Sequence, residues 1–367
     1  MAMKRIIIFN WMDIKNPNSG GQEKYCYEIG KRLARDGMKV YWVSSRFKNS
    51  MNREMIDNIE IIRVGSIYTV FFLSFIIYLI YWKDSYLFLS MNSIPFFVPY
   101  SRRRRLIMLH HRIDKRIMKE KAGILGNLSY LLQERIMPIL FRNDHVITNS
   151  ESSKMDFDSL GYRDITVVKL GVNIPDHLSL MKKKICVSPG PIKPWKHHDM
   201  IIRAFSNLSK DWELIIFGSF ESDEFRALLK NICDELNLNN RVHFLGRITD
   251  EKMLEVYELA SICILGTEKE GWGFVAMEAQ AFGCPVVAFD VPGSRDSVIN
   301  GQTGILVSPS DVISMSKALA QLSSDEELLK IMSDNAIMNS RRYTWEESYK
   351  EFKSNLMILD KPRKGSS

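Results

Sequence analysis

Residues 267–278 read Thr-Glu-Lys-Glu-Gly-Trp-Gly-Phe-Val-Ala-Met-Glu, after an apolar run at 262–265 and at the start of a helical pattern. Gly271 and Gly273 let the backbone approach a ligand with no side chain in the way. The N–H groups of Gly273, Phe274 and Val275 then point out of the helix start, where a phosphate or pyrophosphate is readily held. Glu270 stands at the rim, and Glu278, four residues past Phe274, returns to the same face one turn in. Two carboxylates beside a phosphate site would repel the phosphate, so they suit neutral hydroxyls at its two ends. Sugar hydroxyls on both sides of a pyrophosphate describe a nucleotide sugar. The plainer alternative, two solvated carboxylates, stays open on the residues alone. Nothing marks the pair as the acid and base of a glycosidase.

Other candidates carry less. Asp156-Phe157-Asp158 is a DxD triplet, but it falls in a helical stretch where residues two apart do not face each other. No GxGxxG follows the first strand, which argues against a nicotinamide cofactor. The cysteines (26, 186, 233, 263 and 284) form no CxxC pair, lie largely in apolar runs and read as buried thiols, as in a reducing cytosol. With no ligand spacing to the histidines, no zinc site is expected. His197 and His198 read as capping or packing the helix that follows them.

The elements that must position these residues alternate. Strands are expected at 4–9, 39–44, 60–64, 86–90, 106–109, 146–148 and 165–169, with helices at 22–35, 67–82, 124–141 and 151–161 between them. Gly37 is the expected C-cap of the first helix and Ser150 the N-cap of the last. A second unit repeats the pattern: strands at 185–188, 213–217, 242–245, 262–265, 285–289 and 305–307, and helices at 199–208, 223–236 and 250–259. Such alternation argues for doubly wound parallel sheets. Pro175 and a lysine run place the linker at 173–184, and a final amphipathic helix lies near 345–356. The expected domains are therefore 1–178 together with 344–358, and 179–343.

The 367 residues suffice for two cores, and 46% hydrophobic with 25% charged residues excludes a disordered chain. Residues 1–10 read as a first strand rather than a secretory leader. The apolar stretch 67–82 is shorter than the roughly 20 residues of a spanning helix and is expected to be buried or interfacial. The net charge of +7 is concentrated at Arg102, Arg103, Arg104 and Arg105 and through Lys121, just after the aromatic-rich segment 94–100. Basic residues beside exposed aromatics suit an anionic membrane surface better than nucleic acid; a solvated basic face is the plain alternative.

Glu270 to Glu278 resembles the E-x7-E motif of retaining glycosyltransferases of the GT-B fold, family 4 in particular. The resemblance runs along nearly the whole chain: Gly20-Gly21 at the first helix, Leu109-His110, Asn149-Ser150-Glu151-Ser152, Gly171-Val172-Asn173, Val242-His243-Phe244-Leu245-Gly246, Pro292-Gly293-Ser294, Asn300-Gly301-Gln302-Thr303-Gly304 and Trp345. It implies two Rossmann-like domains facing a central cleft, with a C-terminal helix crossing back to the first domain. It also implies a metal-independent transferase moving a hexose-type sugar, with retention, from a UDP- or GDP-sugar to a glycan or lipid-linked acceptor. No cofactor and no nucleic acid are expected, and a cytoplasmic place at the inner membrane face is. His110, Lys196 and Glu270 would be catalytic. Gly20, Gly21, Lys193, His243, Phe244, Gly271, Gly273, Phe274, Val275 and Glu278 would bind the donor, Glu278 at the ribose. Two departures stand out. Pro191 occupies the position of a customary arginine, leaving Lys193 to substitute or one positive charge absent, and His111 replaces a customary acidic residue after His110. A nucleotide-sugar epimerase and a non-catalytic nucleotide-sugar-binding protein are the alternative readings.

Overall fold

The computed structural model describes residues 4–81, 85–92, 94–96, 98, 105–110, 112–113, 115–177, 182–268 and 270–360, leaving aside the side chains of 116, 117 and 120–122. The chain forms two units: Met1–Gly171 with Trp345–Ser367, and Val172–Thr344. The division precedes the linker expected at 173–184. Val172 already belongs to the second unit, because its N–H donates to the carbonyl of Tyr343 and it bridges Thr344.

Unit 1 runs β1 (Arg5–Phe9), α1 (Gly21–Arg35), β2 (Lys39–Ser44), β3 (Arg53–Ile56), β4 (Ile59–Arg63), α2 (Val70–Tyr81), β5 (Ser85–Met91), β6 (Arg105–Leu109), α3 (Lys115–Leu131), a π-helical turn (Leu132–Ile136), α4 (Met137–Phe141), β7 (His145–Thr148), α5 (Glu151–Ser159) and β8 (Asp164–Val167). The strand order is β3-β4-β2-β1-β5-β6-β7-β8. All pairs are parallel except β3–β4. Central strands such as Ile6–Phe9 and Phe88–Leu89 are fully buried, as expected of a parallel sheet. Helix α1 buries Tyr25, Ile29 and Leu33, one every turn, and Gly37 (φ +82°) ends it by donating to the carbonyl of Ala34. Strand β3 was not expected. Its hairpin turn is Asp57-Asn58, both at positive φ, the conformation a two-residue turn needs.

Unit 2 runs β9 (Ile185–Pro189), α6 (His198–Phe205), β10 (Glu213–Phe217), α7 (Asp223–Glu235), β11 (Val242–Gly246), α8 (Asp250–Leu259), β12 (Ile262–Leu265), α9 (Phe274–Ala281), β13 (Val286–Phe289), α10 (Pro292–Ser297), β14 (Gly304–Val307), α11 (Val312–Ser324) and α12 (Glu326–Ser340). Its six strands are all parallel in the order β11-β10-β9-β12-β13-β14. It has its own core, with Phe205, Trp212, Ile264 and Leu319 among its members.

The last helix, α13 (Trp345–Ile358), belongs to unit 1. Its Trp345, Tyr349, Phe352 and Leu356 are buried, and Phe352 meets Phe88 edge-on with centroids 4.9 Å apart. A side chain at Gly171 would run into the backbone of Trp345 at 2.4 Å, so the chain can leave and re-enter the unit side by side only with glycine there.

Several surface expectations change. Phe96 is buried against Phe9 and Phe71, so its ring packs into the core instead of facing a membrane surface. Arg105 is fully buried and donates to Asp144, so it is no part of a basic surface. Arg102, Arg103, Arg104 and His111 lie outside the described residues. Helical structure begins at Lys115, well before the expected 124, with non-helical backbone at Gly123 (φ +53°). Among the described residues no helix is long and apolar enough to cross a membrane, and no cluster of His, Cys, Asp and Glu could hold a metal. Asp156 and Asp158 lie on α5, and the five cysteines are free and buried.

Candidate functional site

In each unit the strand order reverses once, and in open parallel sheets the crevice at that reversal, outside the carboxyl ends of the strands, is where ligands bind. In unit 2 the reversal lies between β9 and β12. The loop after β9 carries Lys193 and a short 3-10 turn, Pro194–Lys196; the loop after β12 carries Thr267, Glu268, Glu270 and Gly271. The two loops are stitched together. The N–H of Glu268 donates to the carbonyl of Trp195, His197 Nε2 lies 2.8 Å from Glu268 Oε1, and Lys196 Nζ donates to Glu270 Oε2 at 2.9 Å. Both partners of the Lys196–Glu270 pair stay about a quarter exposed. The pair is therefore open to exchange with an arriving ligand, and its own worth to stability is small.

Helix α9 starts beside this pair. Its N-cap is Gly273, which offers no capping side chain and sits in the left-handed region at φ +75°. A Cβ there would come within 2.1 Å of Ser297 Oγ, and one at Gly293 within 2.3 Å of the Glu270 carbonyl oxygen. Pro292-Gly293-Ser294 thus acts locally: the start of α10 lies flat against the backbone of Glu270 and fixes its loop. Lys196, Glu270, Gly273 and Val275 line one small pocket together with Ser188, Thr267 and His198. The sequence reading did not single out Ser188, gave no role to Thr267, the first residue of the quoted run, and read His198 as capping or packing the helix that follows. His198 is buried, and burial chiefly, with the neighbouring Lys196 and His197 charges, pushes its imidazole down to about 3. It therefore stays neutral at physiological pH. The side chain of His197 reaches Glu268 rather than capping α6.

Other expected donor residues lie apart from this pocket's lining. Gly271 and Phe274 flank the turn, and Phe274 packs near Trp272. Glu278 is half-buried one turn into α9, where its charge helps raise the pKa of buried Tyr257, an effect in which desolvation dominates. Lys193 is directed to Glu221, at 3.8 Å, and over the Trp195 ring. His243 bonds Glu213 across the sheet, and Phe244 packs on Phe220.

In unit 1 the reversal lies between β1 and β5. The loop after β1 is anchored by Asp13, which takes two bonds from the buried guanidinium of Arg63 at 2.7 and 2.9 Å. It ends at Gly20, whose N–H donates to Glu23 Oε2 at 2.8 Å, and Gly21 opens α1. Gln22 donates to Asn10 and Ser90 and accepts from Asn92. Ser90 Oγ lies 2.8 Å from Nε2 of His110, which is buried just after β6. His110 is thus tied through Ser90 and Gln22, two residues the sequence reading did not single out, to a polar network with Asn10 and Asn92, and Gly20 and Gly21 directly precede Gln22 in the chain. Ser150 caps α5 by accepting from the N–H of Ser153, whose hydroxyl donates to the His110 carbonyl. Glu23 is 2% exposed, and burial pushes its carboxyl up to about 7 despite the hydrogen bonds it accepts.

The profile of the family "Glycosyl transferases group 1" matches residues 172–338, and that of "Glycosyltransferase Family 4" residues 19–175. An uncharacterized glycosyltransferase of Haemophilus influenzae is 33% identical over 180 residues, 48% of this chain and 50% of that one. The chain matches half or less of the length of its curated relatives. Among solved structures, sucrose-phosphate synthase from Thermosynechococcus elongatus aligns with a TM-score of 0.79 at 20% identity, covering 97% of this chain and 99% of that one. Anabaena HepE, in complex with UDP and glucose, aligns with a TM-score of 0.74 at 18% identity over 97% of this chain and all of the other. The fold is GT-B.

Proposed function

We propose an activity on one premise: this chain belongs to the group 1, family 4 glycosyltransferases. It transfers a hexose-type sugar from a nucleotide-sugar to a hydroxyl of a glycan or lipid-linked acceptor, with retention of configuration and without a metal. The observation that carries this is the Lys196–Glu270 pair at the strand reversal of unit 2, beside a helix start capped only by Gly273. A diphosphate brings negative charge to that spot. The Lys196 ammonium and the α9 N-terminus complement it and stabilise it further as the nucleotide departs. Glu270, released from Lys196, accepts from a hydroxyl of the transferred sugar, and Glu278 from the ribose. UDP is the first base to try, because the HepE structure is a complex with UDP and glucose. The C1–phosphate bond breaks, the acceptor oxygen bonds C1 on the same face, and its proton passes to the departing phosphate oxygen. His110, held by Ser90, serves the acceptor side. With a lipid-linked acceptor, the enzyme works at the inner membrane face.

A second reading, a non-catalytic nucleotide-sugar-binding protein, is favoured by Pro191 and by Lys193 lying toward Glu221 instead of the pocket. Purified protein is screened against UDP-, GDP- and ADP-sugars without acceptor, following nucleotide release and sugar products. Slow release from one donor supports the transferase. Tight binding with no turnover supports the binding protein, and an epimeric product an epimerase. Once the donor is known, Glu278→Ala should mainly weaken nucleotide binding and Lys196→Ala mainly slow transfer; unchanged kinetics in both remove the site assignment.

A further inference from the structure

Residues of the polar network of unit 1 line a cavity whose other lining is largely apolar. Gln22, Ser90 and Asn92 line it together with Ile67 in the turn before α2, Phe71 of α2, Ile94, and Met118 of α3. Its volume is about 350 Å³, within the roughly 300–1,000 Å³ of small-molecule sites. Gly126 brings the two halves of α3 together at the wall: a Cβ there would stand 1.9 Å from the carbonyl oxygen of Met118.

The outer faces of the same two helices are also apolar. Phe72, Ile76 and Ile80 of α2 and Ile124, Leu125 and Leu128 of α3 are exposed. Runs of exposed apolar residues on adjoining elements mark an interaction surface. The surrounding charge favours an anionic partner: among the described side chains of 112–142, Arg112, Lys115, Lys119, Arg135 and Arg142 stand against Glu134, which is taken by Arg112. Exposed Lys115 and Lys119 lie at the start of α3, and exposed Arg135 beside Lys115.

From this we infer that the acceptor is an amphiphile with a long alkyl or isoprenoid chain. The chain occupies the α2–α3 cavity, its hydroxyl-bearing head lies at Gln22, Ser90 and Asn92, and an anionic linker such as phosphate meets the cations of α3. A purely polar glycan would leave the apolar walls and the exposed helix faces without a counterpart. The inference rests on the transferase reading and narrows its acceptor to lipid-linked molecules.

The test uses the full chain and a dansyl-tagged undecanol as probe, whose emission shifts to the blue on entering an apolar site. Saturable binding to the wild type is expected. Ile67→Asp, at the half-exposed edge of the cavity, puts a charge against the chain and should weaken binding roughly tenfold or more. Ser129→Phe fills the cavity without charge and should do the same. Circular dichroism and UDP titration, both unchanged, show that each variant is folded with its donor site intact. A wild type that does not bind the probe, or two folded variants that bind it as the wild type does, overturns the inference. Donor turnover is read separately: probe binding without any sugar-nucleotide turnover upholds the cavity and removes the transferase reading, whereas turnover without probe binding does the reverse.

Discussion

Glu23 holds the turn that opens α1 and does so at a measurable cost. Its carboxyl takes the N–H of Gly20 at 2.8 Å while lying 2% exposed, and burial raises its pKa from 4.5 to about 7. In the unfolded chain the carboxyl ionises near 4.5; in the folded chain it stays protonated until about 7. The folded state therefore binds more protons across that window, and stability falls as pH rises through it. A shift of that size corresponds to roughly 3 kcal/mol, present below pH 4.5 and lost above 7. Glu23→Gln keeps an oxygen for the Gly20 N–H, as glutamine also completes a capping box, but cannot ionise. Urea unfolding followed by tryptophan fluorescence, with buried Trp42 reporting on unit 1, measures both proteins from pH 5 to 8. Two transitions are fitted, because each unit has its own core. The variant should gain on the wild type steadily between pH 5 and 7, by most of those 3 kcal/mol, and then run parallel to it. A difference constant across the whole range refutes the reasoning.

Further expectations follow from single contacts. Gly273→Ala forces a left-handed backbone on alanine, about 1–2 kcal/mol, and drives its methyl into Ser297, so nucleotide binding by calorimetry should fall sharply; wild-type binding would show that the turn is not the donor's seat. Arg105→Met leaves Asp144 buried and without its guanidinium, and should lower unfolding stability by roughly 3–5 kcal/mol, with Asp144→Leu recovering part of the loss in the double variant. His198 is held neutral in the fold down to about pH 3 while the unfolded imidazole gains a proton below 6.5. Stability should therefore fall as pH drops from 6.5 toward 3, and acid titration of His198→Gln should show a shallower fall.

What could be read in advance follows from the range of the forces involved. Strands buried on both faces leave continuous apolar runs, so 39–44, 213–217 and 262–265 were legible as strands to the residue. Strand β3 was not, because Arg53-Glu54-Met55-Ile56 is neither apolar nor alternating; only its Asp57-Asn58 turn betrays it. The exposed aromatic and basic segment read before β6 went wrong at Phe96 and Arg105 for a related reason. Residue type gives the cost of burial, whereas a partner far along the chain, Asp144 or Phe71, decides whether burial happens.

The sequence alone determined two alternating α/β units, the glycine-rich turn before α9 and the two carboxylates around it, because periodicity, glycine and helix starts are local properties of a chain. It named Lys196 only through a family resemblance and read His198 only as capping or packing a helix; it could not show that either meets Glu270. These lie some seventy residues from Glu270 and meet it only because a parallel sheet whose order reverses between β9 and β12 carries both loops to the same edge. The same holds for His110, which joins Ser90 and Gln22 through strand order rather than spacing. Strand order depends on long-range packing of whole elements, so those contacts belong to the tertiary structure.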